Sequence, residues 1–209
     1  MIAAQSKDAM IDILKTEDPL KLHGYMSNAG FDETRQAIAE DLNSRFGTSF
    51  GMHNLYMTCG AAASLSICLK AIVEEGAEDE CIAFAPFFTE YRVFIANAGA
   101  KIVVSKPEEK SFQIDLADFE SRITKNTKAV IVNSPNNPSG VVYSKETIDA
   151  LCEILTRKSK EYGRPIYLIA DEPYRELVYS DVDVPYIMNH YANTLVCYSY
   201  SKSLSLPGE

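Results

Sequence analysis

The sequence is poor in several features that mark particular classes of protein. It has only three histidines, which lie far apart, and no His-x-x-x-His or His-Glu-x-x-His pattern, so nothing indicates a metal site. No apolar run reaches the roughly 18 residues that a membrane-spanning helix needs. The N-terminus also lacks the charged-then-apolar layout of a secretory signal. We therefore expect a cytoplasmic protein that holds no metal ion and binds no membrane.

Cysteine and basic charge are also in short supply. Five cysteines occur at wide spacings without a Cys-x-x-Cys pair, which argues against a disulfide framework and against a structural zinc site. Free cysteines of this kind fit a reducing compartment. The formal net charge is −9 and the lysines are scattered, so the basic face that nucleic-acid binding requires is not predicted.

What the chain does contain is an alternation of helical and strand patterns. Its 209 residues are 46% hydrophobic and 23% charged, an ordinary composition for a globular protein with a substantial core. Helical patterns span 8–15, 33–46, 61–75, 88–98, 116–123 and 145–161, and strand patterns span 55–58, 81–84, 101–104, 129–132, 167–170 and 195–198. Most strand patterns are apolar on both faces, which predicts a three-layer α/β/α fold with a mostly parallel central sheet.

Unusual residue clusters follow several of these strands, where ligands bind in such sheets. Asp171 ends the strand 167–170 and is either a polar strand exit or an acid paired with a buried ring nitrogen. The loop 133–140, Asn-Ser-Pro-Asn-Asn-Pro-Ser-Gly, is either a rigid turn before a helix or a source of hydrogen bonds to a ligand.

Two further clusters lie at a helix start and near the end of the chain. Residues 60–63, Gly-Ala-Ala-Ala, open a helix whose backbone N–H groups can bind an anion, although such helix starts are common. Neither a Walker loop nor a Gly-x-Gly-x-x-Gly pattern occurs, so a nucleotide-binding domain receives little support. Lys202 follows the last strand among small hydroxyl residues and is either a surface lysine or a functional one.

In their order along the chain, these four segments resemble the class I and II aminotransferases among the fold-type I pyridoxal phosphate (PLP) enzymes. Residues 199–208 match that family's lysine signature: Ser, any residue, Ser, Lys, two residues, a small one, an apolar one, any residue and Gly. The resemblance covers nearly the whole chain and is weakest before about residue 20. It implies a PLP-dependent enzyme that moves an amino group between an amino acid and a 2-oxo acid.

The resemblance also implies roles for single residues. Lys202 would form the Schiff base with the cofactor and shuttle the proton, and Asp171 would pair with the pyridine nitrogen. Asn137 and Tyr174 would hydrogen-bond the phenolic oxygen of the cofactor. Lys202, Asp171 and Tyr174 are therefore the expected catalytic residues.

The remaining implied contacts concern the phosphate and the ring of PLP. Gly60, Ala61 and Ser199 would bind the phosphate. Phe88 would stack on the ring, with Phe87 as the competing choice because the assignment rests on spacing from the preceding proline.

The family pattern further predicts a homodimer and a division of the chain. Tyr25 resembles the tyrosine that reaches the phosphate in the neighbouring subunit. Residues 1–20 are expected to belong to, or lead from, a small domain, and 21–209 to form the cofactor-binding large domain, truncated at its C-terminal end. The family's phosphate-binding arginine is due directly after Glu209, so we expect a fragment with weak or no turnover of its own.

Two alternatives stay open within this resemblance. The chain could be a catalytically incompetent domain that keeps the fold and, with it, binding of the cofactor or of a second subunit. It could also come from another enzyme on the same scaffold, above all a carbon–sulfur β-lyase. Dependence of product formation on a 2-oxo acid would distinguish an aminotransferase from a lyase.

Overall fold

The computed structural model describes residues 2–74, 76 and 78–207. These residues form two compact units: Gly60–Ser199 is one, and the described residues of Met1–Cys59 and Tyr200–Glu209 make up the other. The predicted division at residue 20 stays a prediction. Glu75, the last residue of the predicted helix 61–75, lies outside the described residues.

The unit formed by the two ends of the chain is helical. It contains α1 (Ile2–Thr16), α2 (Pro19–His23), α3 (Asp32–Phe46) and, near the C-terminus, α8 (Tyr200–Ser203). Helix α3 ends at Phe46, as the pattern 33–46 predicts, and Gly47 follows with a φ of +66°, the left-handed conformation that glycine adopts without steric cost. The N–H of Gly47 donates to the carbonyl of Asn43 at 3.0 Å, which closes the last turn.

The unit 60–199 is built on a five-stranded sheet. Its strands are β1 (Glu80–Phe84), β2 (Lys101–Ser105), β3 (Thr127–Asn133), β4 (Tyr167–Asp171) and β5 (Thr194–Cys197). The spatial order is β2-β1-β3-β4-β5, and every neighbouring pair is parallel. The structure therefore confirms the predicted parallel sheet. Strands that are covered on both faces are apolar at consecutive positions, which is why the sequence pattern predicted it.

Helices cover both faces of this sheet. On one face, α4 (Gly60–Ile72) and α5 (Tyr91–Ala98) pack against alternate strand residues such as Ala83, Ile131 and Ile169. On the other face, α6 (Leu116–Arg122) and α7 (Lys145–Tyr162) pack against the intervening residues. This arrangement confirms the three-layer α/β/α fold, with two separate apolar cores on either side of the sheet.

Helix α7 forms where the sequence predicts it. The side chain of Ser144 accepts a hydrogen bond from the backbone N–H of Thr147 at 3.1 Å and so satisfies one of the open donors of the first turn. Ile148, Leu151 and Leu155 repeat at helical spacing and are almost completely buried against the sheet.

Two predicted elements differ in the structure. The strand predicted at 55–58 is wrong: this segment has no regular structure, and the Met57 N–H donates instead to the Ala29 carbonyl at 2.9 Å. Helix α5 begins at Tyr91 rather than at Phe88, because the Phe88 carbonyl accepts the Tyr91 N–H in a turn before the helix. In the described part of the chain, no helix is both long enough and apolar enough to cross a bilayer.

Candidate active site

The carboxyl edge of the sheet gathers most of the predicted site residues. Strands β3 and β4 end side by side, with Asn133 in register with Asp171, and β5 ends with Cys197 in register with Asp171. Because the strands are parallel, the loops that follow them leave from the same edge. The unit 60–199 therefore assembles its polar strand ends at the edge where the sequence predicts a site.

The side chain of Asn133 ties two of these segments together. Its Nδ2 donates to the backbone carbonyl of Asp171 at 2.8 Å, and its Oδ1 accepts the backbone N–H of Asn137 at 2.7 Å. Asn133 is only 3% exposed, so water does not compete effectively for these bonds. These two hydrogen bonds hold the end of β4 and the loop 133–140 in one arrangement.

Asn137 and Tyr174 meet in this arrangement. The amide Nδ2 of Asn137 lies 3.4 Å from the hydroxyl oxygen of Tyr174, to which it donates. Tyr174 stands in the turn directly after β4, which brings its phenol back over the loop. The two residues that the family resemblance assigns to one oxygen of a ligand are thus direct neighbours, and both are polar groups on a half-buried surface.

Asp171 is the most unusual group at the edge. Its side chain is nearly buried, with 5% of the residue exposed, and its Oδ2 accepts a hydrogen bond from the hydroxyl of Tyr91. Its Oδ1 is buried and has no hydrogen-bond partner among the residues that the structure describes. Burial raises the pKa of Asp171 to about 6, although the bond from Tyr91 acts in the opposite direction.

A buried carboxylate oxygen without a partner is unfavourable unless a ligand completes its hydrogen bonding. A cationic N–H is the donor that suits it best, because the bond is then charge-assisted. Asp171 therefore fits the protonated ring nitrogen of PLP, the group that the family resemblance implies. The neighbouring pair of Asn137 and Tyr174 fits a partly charged oxygen on the same ring.

Gly60 and Ser199 lie together at the start of α4. Gly60 has a φ of +82°, which disfavours any other residue, and a Cβ built there would stand 4.0 Å from the Ser199 Oγ. Ala61 follows in the first turn, where backbone N–H groups have no partner inside the helix. The structure thus places the three residues predicted to bind a phosphate at one helix N-terminus, where anions are favoured.

The two candidate stacking residues pack against the same tyrosine. The Phe88 ring meets the Tyr91 ring edge-to-face with centroids 5.7 Å apart, whereas Phe87 lies nearly parallel to Tyr91 at 6.2 Å. The guanidinium carbon of Arg92 lies 5.2 Å from the centroid of Phe87. Both phenylalanines are half-buried, and the choice between them stays a prediction.

Lys202 and Tyr25 belong to the other unit. Lys202 lies in α8 and Tyr25 in the segment after α2, and the side chains of both are exposed. Their assigned roles therefore remain predictions that rest on the sequence motif. No group of three or more histidine, cysteine, aspartate or glutamate side chains is arranged for a metal ion within the described residues.

A buried ion pair follows Asp171 and was not among the predicted site residues. Glu172 accepts a hydrogen bond from Arg175 Nε at 2.7 Å, and the other guanidinium nitrogens of Arg175 donate to the carbonyls of Val184 at 3.1 Å and Pro185 at 2.9 Å. Burial raises the pKa of Glu172 to about 7, against the opposing effect of Arg175. The pair ties the segment after Tyr174 back onto the strand end.

The contribution of Asp171 to the stability of the ligand-free protein is expected to fall as the pH rises from about 4 to about 6. In that range the folded protein keeps a proton on Asp171, whose pKa is raised from 3.8 to about 6, whereas the unfolded chain has released it. A shift of this size corresponds to a loss of roughly 3 kcal/mol. Urea unfolding of the wild type and of Asp171→Asn across pH 4–8 measures the effect.

The difference between the two stability curves isolates Asp171. Glu172 has its pKa raised to about 7 and destabilises the fold over a higher pH range, but it is present in both proteins. We expect the wild type to lose stability relative to Asp171→Asn up to about pH 6 and to run parallel to it above that pH. Parallel curves over the whole range would show that Asp171 is not held protonated in the ligand-free fold.

Three groups at the site could not be found from local sequence. Asn133 stands in a loop that the sequence marks, but its bracing role depends on the register of β3 and β4. Arg175 adjoins the marked segment without a pattern that indicates its partners. Tyr91 lies 80 residues from Asp171, and only the packing of α5 brings the two together.

Comparison with known proteins supports the family resemblance. The sequence profile of the family described as aminotransferase class I and II matches residues 3–209. A putative aminotransferase of Bacillus subtilis, YugH, is 33% identical over 188 residues, covering 88% of this chain and 47% of that protein. The aspartate aminotransferase of Pyrococcus horikoshii is 32% identical over 186 residues, covering 88% of this chain and 46% of that protein.

Solved structures show the same relationship. An amino transferase from Eubacterium rectale matches with a TM-score of 0.95 and 56% identity, over 97% of this chain and 51% of that chain. The chain thus spans about half the length of the relatives that it matches. Since the profile match extends over nearly all of its residues, the chain belongs to the class I and II aminotransferase family.

Proposed function

We propose that this chain is the cofactor-binding portion of a PLP-dependent aminotransferase, which moves an amino group between an amino acid and a 2-oxo acid. The observation that carries the proposal is the buried carboxylate of Asp171 with one oxygen left without a partner. That oxygen stands at the same edge of the sheet as the Asn137–Tyr174 pair. Membership of the aminotransferase family supports the same chemistry.

Each residue of the site would contribute a distinct contact to bound PLP. The Asp171 carboxylate would accept the N–H of the ring, and the side chains of Asn137 and Tyr174 would donate to the phenolic oxygen. The backbone N–H groups of Gly60 and Ala61 would hold the phosphate, since the start of α4 favours an anion. The Ser199 hydroxyl, next to Gly60, would donate to the same phosphate.

The reaction would place its proton transfer on Lys202. When bound, PLP supplies an electron sink for the charge that remains after a proton leaves the α-carbon of the substrate. The Nζ of Lys202 would hold the cofactor, and after its release by the substrate it would take and return the proton at the α-carbon. Asp171 would keep the ring nitrogen protonated by placing a negative charge beside it.

The ring of PLP would rest on Phe88. Phe87 already packs nearly parallel to Tyr91 and lies under the guanidinium of Arg92, whereas Phe88 presents its edge to Tyr91. This packing supports Phe88 over Phe87 as the residue whose face a ligand would cover. A homodimer is proposed with Tyr25 reaching the phosphate of the partner site, which suits a side chain that is fully exposed in the single chain.

The remaining assignments are proposals from the sequence. Residues 1–20 are proposed to belong to, or lead from, the small domain, and residues 21–209 to form part of the cofactor-binding large domain. A cytoplasmic location is proposed from the five widely spaced cysteines, which fit a reducing compartment. Aspartate is the first amino acid to test, because the Pyrococcus horikoshii relative is an aspartate aminotransferase.

Titration of the purified protein with PLP tests the proposal. We expect a visible absorbance band that saturates at one PLP per chain and an adduct on Lys202 after borohydride reduction. Amino transfer is then followed with aspartate and a 2-oxo acid. Product formed without any 2-oxo acid would favour the carbon–sulfur lyase alternative, and a folded protein that binds no PLP would refute the proposed function.

A further inference from the structure

Tyr91 is a buried tyrosine that contacts the site without belonging to any of its predicted contacts. It is 1% exposed, it begins α5, and its hydroxyl donates to the Oδ2 of Asp171. Asp171 continues the alternation of Ile169 along β4, so its side chain points to the face of the sheet that α4 and α5 cover. The contact thus joins the start of a helix to the carboxyl end of the central strand.

The bond makes the two oxygens of Asp171 different. Oδ2 has its donor in Tyr91, whereas Oδ1 is buried without a partner among the described residues. A carboxylate can rotate about its last side-chain bond and exchange its oxygens, and this torsion is soft. A fixed donor on one oxygen therefore sets the orientation of the carboxylate and the direction in which the other oxygen is available.

The position of Tyr91 is itself well determined by packing. The Phe87 ring lies nearly parallel to it at 6.2 Å, and the Phe88 ring meets it edge-to-face at 5.7 Å. Ile95, one helical turn further along α5, is completely buried in the same apolar core. A tyrosine enclosed in this way has few rotamers open to it, so its hydroxyl stays aimed at Asp171.

The hydroxyl also remains a donor throughout the working pH range. Burial, together with the charge of Asp171, raises the pKa of Tyr91 well above its ordinary value. The other titratable groups that influence this pair are Cys197 on β5 and Tyr143 before α7, and both stay neutral. The Cys68 thiol and burial raise the pKa of Cys197, and burial raises that of Tyr143.

We propose that Tyr91 is a positioning residue for the cofactor, which orients the Asp171 carboxylate and favours its ionised form by donating to Oδ2. Oδ1 is then left to accept the ring N–H of PLP. This inference rests on the proposed function, since the ring nitrogen is the partner that it assigns to Oδ1. Tyr91 itself does not touch the cofactor in this scheme and acts through Asp171.

Replacement of Tyr91 by phenylalanine removes the donor and keeps the ring. Without the bond, the Asp171 carboxylate loses its hydrogen-bond donor, so in the PLP-free protein its titration midpoint is expected to rise by about one pH unit or more. NMR of protein labelled with ¹³C at the aspartate carboxyl carbons measures this midpoint, and the signal absent from Asp171→Asn identifies residue 171. PLP affinity at neutral pH is expected to weaken by about tenfold.

Tyr191 provides a matched control. It is also a buried tyrosine, and its hydroxyl donates to the backbone carbonyl of Ile166 at 2.8 Å, beside the opposite end of β4. Tyr191→Phe therefore loses a buried hydrogen bond of similar kind without reaching Asp171. We expect it to be destabilised to a comparable degree, with the Asp171 midpoint unchanged and the PLP affinity within about twofold of the wild type.

The combined variants complete the test. In the Asp171→Asn background, Tyr91→Phe is expected to cause no further loss of PLP affinity, because the group through which it acts has lost its charge. An unchanged Asp171 midpoint in Tyr91→Phe, or an equal shift in Tyr191→Phe, would overturn the inference. If the wild type binds no PLP, the proposed function fails, and the midpoint measured without PLP still decides whether Tyr91 controls Asp171.

Discussion

Replacing Lys202 with alanine is expected to abolish the covalent attachment of PLP to the protein. Lys202 is the lysine of the Ser-x-Ser-Lys signature, and its amine is the only group to which the proposed function assigns a covalent bond with the cofactor. Where the wild type gives measurable amino transfer, the rate should fall by at least about 10²- to 10⁴-fold, the usual contribution of a general acid–base group.

Mass spectrometry after borohydride reduction measures the attachment. The wild type should carry the mass of one reduced PLP on the peptide that contains Lys202, and the variant should carry none. Lys110→Ala is the matched control, since Lys110 is an exposed lysine in a turn between β2 and α6. An adduct of equal yield on another lysine in both variants would show that the assignment of Lys202 is wrong.

Noncovalent binding should survive in Lys202→Ala. The contacts proposed for Asp171, Asn137 and the start of α4 are all made by the unit 60–199, which does not contain Lys202. We therefore expect PLP to bind the variant with reduced affinity and to be removed by gel filtration. Retained binding without an adduct would show that Lys202 forms the covalent bond, whereas the contacts made by the unit 60–199 hold PLP noncovalently.

Replacing Asp171 with asparagine is expected to have the second large effect. Asparagine keeps the size of the side chain but removes the negative charge, so nothing stabilises a protonated ring nitrogen next to it. Loss of one partner from a buried ion pair costs about 3–5 kcal/mol. Amino transfer should therefore fall by roughly 10²- to 10⁴-fold, while the ligand-free protein becomes more stable near neutral pH.

The effect of Asp171→Asn is read from PLP binding as well as from turnover. Absorbance of the bound cofactor, followed against pH, should show that the ring loses its proton more easily than in the wild type. Asp79→Asn is the matched control, because Asp79 is also buried but precedes β1 at the opposite edge of the sheet. Equal changes in both variants would contradict the assignment of Asp171 to the ring nitrogen, because Asp79 lies at the opposite edge of the sheet.

The fold class could be predicted because the residue composition of the strands depends on whether one face or both faces are buried. Residues 81–84, 129–132 and 167–170 are apolar at every position, which is the pattern of a strand with helices on both faces. The same reasoning failed for 55–58, since apolar residues indicate burial but do not show whether another strand is available to pair. Met57 instead bonds to the loop at Ala29.

The prediction of the site depended on order along the chain combined with parallel topology. Once Asp171 and the loop 133–140 are known to follow neighbouring parallel strands, they must leave the sheet at the same edge. In the structure, Asn137 and Tyr174 are neighbours, and Gly60 lies beside Ser199. Their contacts with PLP, and the role of Lys202, stay predictions that the experiments above test.

Local residue patterns were thus sufficient for the layers of the fold and for most of its helices and strands. They did not reveal the hydrogen bond from Tyr91 to Asp171, the hydrogen bond from Asn133 to the Asp171 carbonyl or the partners of Arg175. The spacing of hydrophobic residues indicates which face of a helix or strand is buried, and this spacing is visible in the sequence alone. A hydrogen bond between distant side chains requires ångström-scale placement, which is set only when α5 and the strands pack together.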